Sequence, residues 1–201
     1  MFIVMMNGHV ACLKTTIARK LSEKLSLQLI ETNKFGKVIG EGNNMEFSKR
    51  GARYQKLFEF ANATLAKGHS VVLDGTFSMV SWRKRIYALA ERYSVDGFVI
   101  IRCTCRDAKV IKSRLECRRQ NPQFPESEVH HFQNYLQSVG EDEKPYSDAM
   151  GSGKLPCIIE VESANLQVKR VLNSSETGEK IKATLQDAAK EILFNPNSTG
   201  L

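Results

Sequence analysis

The residues best suited to chemistry lie near the start of the chain. Phe2-Ile3-Val4-Met5-Met6 is an apolar, strand-like run. Asn7-Gly8-His9-Val10-Ala11-Cys12-Leu13 follows as a loop, and Lys14-Thr15-Thr16 opens a helical pattern. Strand, loop, Lys-Thr and helix in that order form the layout of a phosphate-binding loop, in which backbone N–H groups at a helix N-terminus wrap a polyphosphate. In the pattern G-x-x-x-x-G-K-[ST], Gly8 would allow the sharp exit from the strand. Lys14 would reach the β- and γ-phosphates of ATP, and the Thr15 hydroxyl would ligate Mg2+. His9, Val10, Ala11, Cys12, Leu13 and Thr16 complete the loop. Leu13 stands where the pattern has its second glycine. Glycine is preferred there because backbone must approach phosphate closely, in dihedrals that leucine dislikes. The small residues Ala11 and Cys12 ease the turn. Either the loop binds nucleotide with altered geometry or it is a relic. The plainer alternative is an ordinary strand-to-helix turn that carries Lys-Thr-Thr.

A second candidate is Val71-Val72-Leu73-Asp74-Gly75-Thr76-Phe77. Three apolar residues ending in Asp74 place a carboxylate at the C-terminal edge of a buried strand, where open α/β sheets bind ligands. Asp74 could hold Mg2+ through water, act as the base that positions an acceptor hydroxyl, or merely cap the following turn. The four histidines, His9, His69, His130 and His131, show no metal spacing. The five cysteines form no C-x-x-C pair and no zinc pattern, which favours reduced thiols and a cytoplasmic protein. Cys12 is the one candidate for a reactive thiol, because a helix N-terminus lowers a thiol pKa. A small residue filling a tight turn is the alternative.

These residues need a frame to hold them. Strand-like runs at Phe2–Met6, Leu27–Ile30, Ser70–Asp74, Gly97–Cys103 and Cys157–Val161 are short and rich in Val, Ile or Leu, as strands covered on both faces should be. Amphipathic stripes separate them: Ile17, Ala18, Leu21 and Leu25; Leu57, Phe58, Ala61 and Leu65; Trp82, Ile86, Leu89, Ala90 and Tyr93; and, last, Ile181, Leu185, Ala188, Ala189 and Ile192. The alternation predicts an α/β fold, a parallel sandwich with right-handed crossovers. The 201 residues fit one domain over 1–194, with a flexible tail at 195–201. Two stretches break the alternation. Lys34–Gly51 is glycine-rich and reads as a substrate-side segment. Arg106–Lys144 is a basic helix, a Pro122–Pro125 break and a second helix, which reads as a lid.

Composition adds bounds. The net charge of +7 fits a polyanionic ligand such as ATP or nucleic acid, but no block of five Lys/Arg indicates a nucleic-acid tail. No apolar run approaches the ~18 residues of a membrane span, and the first run reads as a strand rather than a signal peptide.

The phosphate-loop segment, Tyr54–Phe58 through Leu65–Gly68, Val71–Phe77, Trp82-Arg83 and Arg114–Arg118 occur in one order. Together they resemble the small P-loop kinases that include polynucleotide 5′-kinase, gluconate kinase and the zeta-toxin-like kinases, over about residues 1–162. The resemblance implies a P-loop NTPase three-layer sandwich with a five-stranded parallel sheet of the nucleoside-monophosphate-kinase kind. It also implies transfer of the ATP γ-phosphate to a hydroxyl acceptor. By position, Asp74 and Thr76 match the acceptor-side Asp-x-Thr, Arg83 the arginine that follows it, and Arg114 and Arg118 the lid arginines. Their i, i+4 spacing puts both guanidiniums on one helix face, suited either to clamping a phosphoryl group or to solvation. Members often carry Asp after the second strand, facing the acceptor; this chain has Asn33, which cannot accept a proton. The base would then be Asp74, Glu31 or none. The acceptor stays open among a nucleotide, a nucleic-acid end and a small hydroxy compound. A nucleotide-binding regulatory module with little catalysis is the alternative that Leu13 and Asn33 motivate.

Overall fold

In a computed structural model, residues 1–35, 47–119 and 155–194 are described. Much of the expected substrate-side segment and most of the expected lid lie outside them, as does the expected tail. Five strands form where apolar runs were expected: β1 (Phe2–Gly8), β2 (Gln28–Glu31), β3 (Val71–Asp74), β4 (Gly97–Thr104) and β5 (Cys157–Glu162). A sixth, β6 (Gln167–Leu172), completes a sheet of order β2-β3-β1-β4-β5-β6. The first five are mutually parallel, and β6 pairs antiparallel with β5. The sheet therefore has one strand more than expected. β6 reads Gln-Val-Lys-Arg-Val-Leu, and a register shift at Glu160/Val161 interrupts its pairing. On an edge, with charged residues facing water, it shows no continuous apolar run.

The helices are α1 (Lys14–Leu25), α2 (Phe47–Ala66), α3 (Val80–Arg92), α4 (Ala108–Arg119) and α5 (Glu176–Phe194). Side chains alternate across a strand, so the sheet feeds two cores. From β1, Val4 and Met6 enter one core with Ile17 and Leu21 of α1, Ile111 and Leu115 of α4, and Ile181 and Leu185 of α5. Ile3 and Met5 enter the other with Leu57 and Leu65 of α2 and Ile86 of α3. Helices on both faces of a mostly parallel sheet make the three-layer α/β sandwich. The sheet order reverses around β1, between β3 and β4, and in such sheets ligands bind at the carboxyl edge beside that reversal. The ends of β1 and β3 meet there. No helix among the described residues is long and apolar enough to cross a membrane.

Candidate functional site

Gly8 ends β1 beside Cys103 of β4. Its φ is +131°, and a Cβ there would stand 2.0 Å from the Cys103 carbonyl oxygen. Only glycine lets the chain leave the sheet at this point. The loop then passes through Ala11 (φ 59°) and Leu13 (φ 56°), both left-handed. Leu13 thus adopts the backbone that the missing glycine would supply with less strain. Its side chain explains the tolerance: it is 7% exposed and belongs to the core that contains Ile17, Ile111 and Leu115. A left-handed residue costs roughly 1–2 kcal/mol, whereas burying a leucine returns about 1.5–3 kcal/mol.

Helix α1 starts directly after Leu13. No side chain caps its first turn, and no acidic residue occupies it. The free N–H groups and the positive end of the helix dipole are left for an anion. Lys14 folds back so that Nζ donates to the His9 carbonyl at 2.5 Å, within the loop. Burial pushes the Lys14 pKa down, with Arg118 adding to the effect; Cys12, Asp74 and Cys103 oppose it. Such an ammonium gains from an arriving phosphate. Cys12 is fully buried, and burial pushes its thiol pKa up despite Lys14. The thiol is a packing group, and the reactive reading of Cys12 does not hold.

Thr15 links the loop to β3. Its hydroxyl donates to Asp74 Oδ2 at 2.6 Å. Asp74 is 3% exposed, and burial raises its carboxyl pKa, with Glu31 adding to it; Thr15, Lys14 and Arg19 pull the other way. Glu31 sits beside Asp74 in register on β2. Its Oε1 accepts from Arg19 Nε at 3.0 Å and Nη2 at 2.9 Å, and its Oε2 lies 2.6 Å from Lys34 Nζ. Two cations thus pair with this carboxylate. The Thr15 and Asp74 oxygens are hard donors of the kind Mg2+ takes when it keeps most of its water, so this pair fits such an ion.

The β3–α3 turn is held from three sides. Phe77 is left-handed (φ 45°) and fully buried. Its N–H donates to the Tyr54 hydroxyl at 3.0 Å, and its carbonyl accepts from Arg83 Nη1 at 2.8 Å and Asn7 Nδ2 at 3.3 Å. Asn7 also donates to the Thr76 carbonyl, at 3.0 Å. Tyr54 stacks on Trp82 at 3.8 Å and reaches Thr76 Oγ1 at 3.3 Å. Thr76 is half-buried at the sheet edge. Arg83, expected on the acceptor side, is 1% exposed and donates to the Phe77 and Ser78 carbonyls; it supports the turn from beneath. Asn33 is exposed just beyond β2.

Arg114 differs most from its expected place over the phosphates. Nη1 donates to the Ala11 carbonyl and to Ser163 Oγ, both at 3.1 Å, and Nη2 donates to the Ser163 carbonyl at 2.6 Å. Its guanidinium fork is engaged behind the loop. Arg118, one turn further along α4, is half-buried and close enough to Lys14 to act on its charge. Asn7, Tyr54 and Ser163 were assigned no role from sequence, although Tyr54 opens one of the segments that carry the resemblance. Asn7 carried a signal, as a polar residue closing an apolar strand; Ser163 carried none.

A family model described as AAA domain matches residues 3–139, well over half of the chain, and the chain belongs to that family. No curated protein matches it in sequence. Solved structures share its fold. A candidate kinase from Chloroflexus aurantiacus superposes with TM-score 0.64 at 17% identity, covering 94% of this chain and 96% of the other. Kti12 from Chaetomium thermophilum, solved with ADP-AlF3, gives 0.58 at 16% identity and covers 95% and 97%. A gluconokinase from Sinorhizobium meliloti gives 0.50 at 14% identity and covers 96% and 95%. The resemblance to small P-loop kinases is thereby borne out at the level of fold.

Proposed function

We propose that this AAA domain protein is an ATP-dependent kinase that transfers the γ-phosphate to a hydroxyl acceptor. The observation that carries the reading is the Thr15–Asp74 hydrogen bond of 2.6 Å, which ties the phosphate loop to the acceptor-side strand end. Nucleotide-bound Kti12, at similar fold, supports the nucleotide half. The loop N–H groups and the start of α1 bind the polyphosphate, with Lys14 exchanging the His9 carbonyl for phosphate oxygens. Thr15 and Asp74 would hold Mg2+, which would supply charge neutralisation for the phosphates.

The acceptor oxygen bonds to the γ-phosphorus as the bond to the β–γ bridging oxygen breaks, and ADP leaves with that electron pair. Asp74 receives the hydroxyl proton, directly or through water. Glu31 is engaged by Arg19 and Lys34, and the Asn33 amide cannot accept a proton, which leaves Asp74 for that task. Because the transition state is loose, positioning outweighs the base. Thr76 and Asn33 border the acceptor, and Arg118 is the lid arginine nearest the phosphates. Residues 1–194 act as one unit, with the lid at about 106–144.

The test is transfer of label from γ-labelled ATP to a panel of nucleotides, nucleic-acid ends, sugar acids and small alcohols. Wild type labels at least one class, and Lys14→Ala and Asp74→Ala do not. No transfer to any class contradicts the kinase reading. A regulatory nucleotide-binding module is the second reading, favoured by the exposed Asn33 where kinases of this kind often carry an acid. It predicts nucleotide binding without turnover.

A further inference from the structure

The phosphate loop carries two left-handed residues that are not glycine, and they are restrained differently. Leu13 is anchored by its buried side chain. The Ala11 methyl offers far less anchorage, and such backbone persists only where its surroundings over-determine it. What holds Ala11 is its carbonyl oxygen, 3.1 Å from Arg114 Nη1. The same guanidinium grips Ser163 through Oγ at 3.1 Å and through the carbonyl at 2.6 Å. Ser163 is fully buried, and its N–H donates to the Thr104 carbonyl at 2.7 Å. A continuous path runs from β4 through Ser163 and Arg114 to Ala11.

We propose that Arg114 and Ser163 are positioning residues that preorganise the phosphate loop for polyphosphate, with Arg114 acting from behind the loop and not as a phosphate contact. The link is peptide geometry. The Ala11 carbonyl and the Cys12 N–H belong to one planar trans unit and point in opposite directions. Pinning the oxygen behind the loop turns the Cys12 N–H toward its interior, where phosphate oxygens need donors. Ser163 is fully buried, and its side chain reaches the loop through Arg114 and through the Cys12 thiol. A loop freed of this tether samples other conformers, and apparent affinity falls by the fraction that remains competent.

The inference rests on the nucleotide-binding reading, and one experiment separates the two. Mg·ADP and tripolyphosphate are titrated calorimetrically into wild type, Ser163→Ala, Arg114→Gln and the double variant, well below their melting temperatures, which are measured in parallel. Each single variant weakens both ligands by about tenfold, and the double variant is no weaker than the weaker single. Tripolyphosphate carries no base, so equal losses for both ligands place the effect at the phosphate loop. Unchanged affinity in Ser163→Ala, with or without a lower melting temperature, overturns the proposal. Additive losses overturn it too, because they mean Arg114 and Ser163 act separately. If Arg114→Gln does not fold, Ser163→Ala with tripolyphosphate still decides. Absence of Mg·ADP binding by wild type removes the nucleotide reading and this inference with it, whereas binding that Ser163→Ala leaves intact removes this inference alone.

Discussion

The Thr15 hydroxyl and the Asp74 carboxylate, 59 positions apart in the chain, meet through a 2.6 Å hydrogen bond at the carboxyl edge of the sheet. The contact joins the start of α1 to the end of β3. It also sets the buried Asp74 within electrostatic reach of the half-buried Lys14, since each shifts the other's titration. A site of this kind trades stability for chemistry, and the trade can be measured.

Burial raises the Asp74 pKa, so over an interval above the usual carboxylate range the folded protein holds a proton that the unfolded chain has released. Stability is then lost as pH rises through the folded pKa. Asp74→Asn removes the buried charge and keeps an acceptor for Thr15. It raises the urea midpoint at pH 7–8, by an increment that shrinks toward zero below about pH 4, where the carboxyl is protonated in both states. The same variant loses phosphate transfer. An increment that grows on acidification contradicts the assignment.

Leu13 is an anchor as well as a departure from the motif. Leu13→Gly relieves roughly 1–2 kcal/mol of left-handed strain but forfeits about 2–5 kcal/mol of core packing. The variant unfolds at lower urea, by a net loss of up to about 4 kcal/mol, and still binds nucleotide. A more stable Leu13→Gly protein contradicts this balance.

Gly8→Ala drives a Cβ into the Cys103 carbonyl oxygen and keeps a positive φ. The cost is about 3 kcal/mol or more, read as a collapse of the urea midpoint or loss of soluble protein.

Tyr54→Phe keeps the stack on Trp82 and deletes the hydroxyl that accepts the buried Phe77 N–H. An orphaned buried donor costs about 1–3 kcal/mol, read as a lower urea midpoint at unchanged m-value.

Much of this site was legible because strand-to-helix chemistry is local. Gly8, Lys14 and Thr15 lie within one stretch, and Asp74 ends an apolar run, so sequence alone places them at strand ends. The Thr15–Asp74 contact follows only from adjacent parallel strands, which the alternation of elements implies without specifying the register. Arg114 was legible as a residue and misleading as a location: helical spacing says which face it shares with Arg118, not that the β5–β6 turn lies behind it. Ser163 and β6 were illegible, one a lone polar residue in a turn and the other an edge strand whose charges mask its period. Leu13 looked like a defect because the core that accepts its side chain is assembled from α1, α4 and α5, far apart in sequence.

The central claim is that the loop binds nucleotide with Leu13 in place. Calorimetric titration of Mg·ATP into wild type and Lys14→Ala tests it most directly. Saturable binding by wild type, weakened by at least about tenfold (1.4 kcal/mol) in Lys14→Ala, is the predicted result. No binding by wild type, or equal binding by both proteins, contradicts the account.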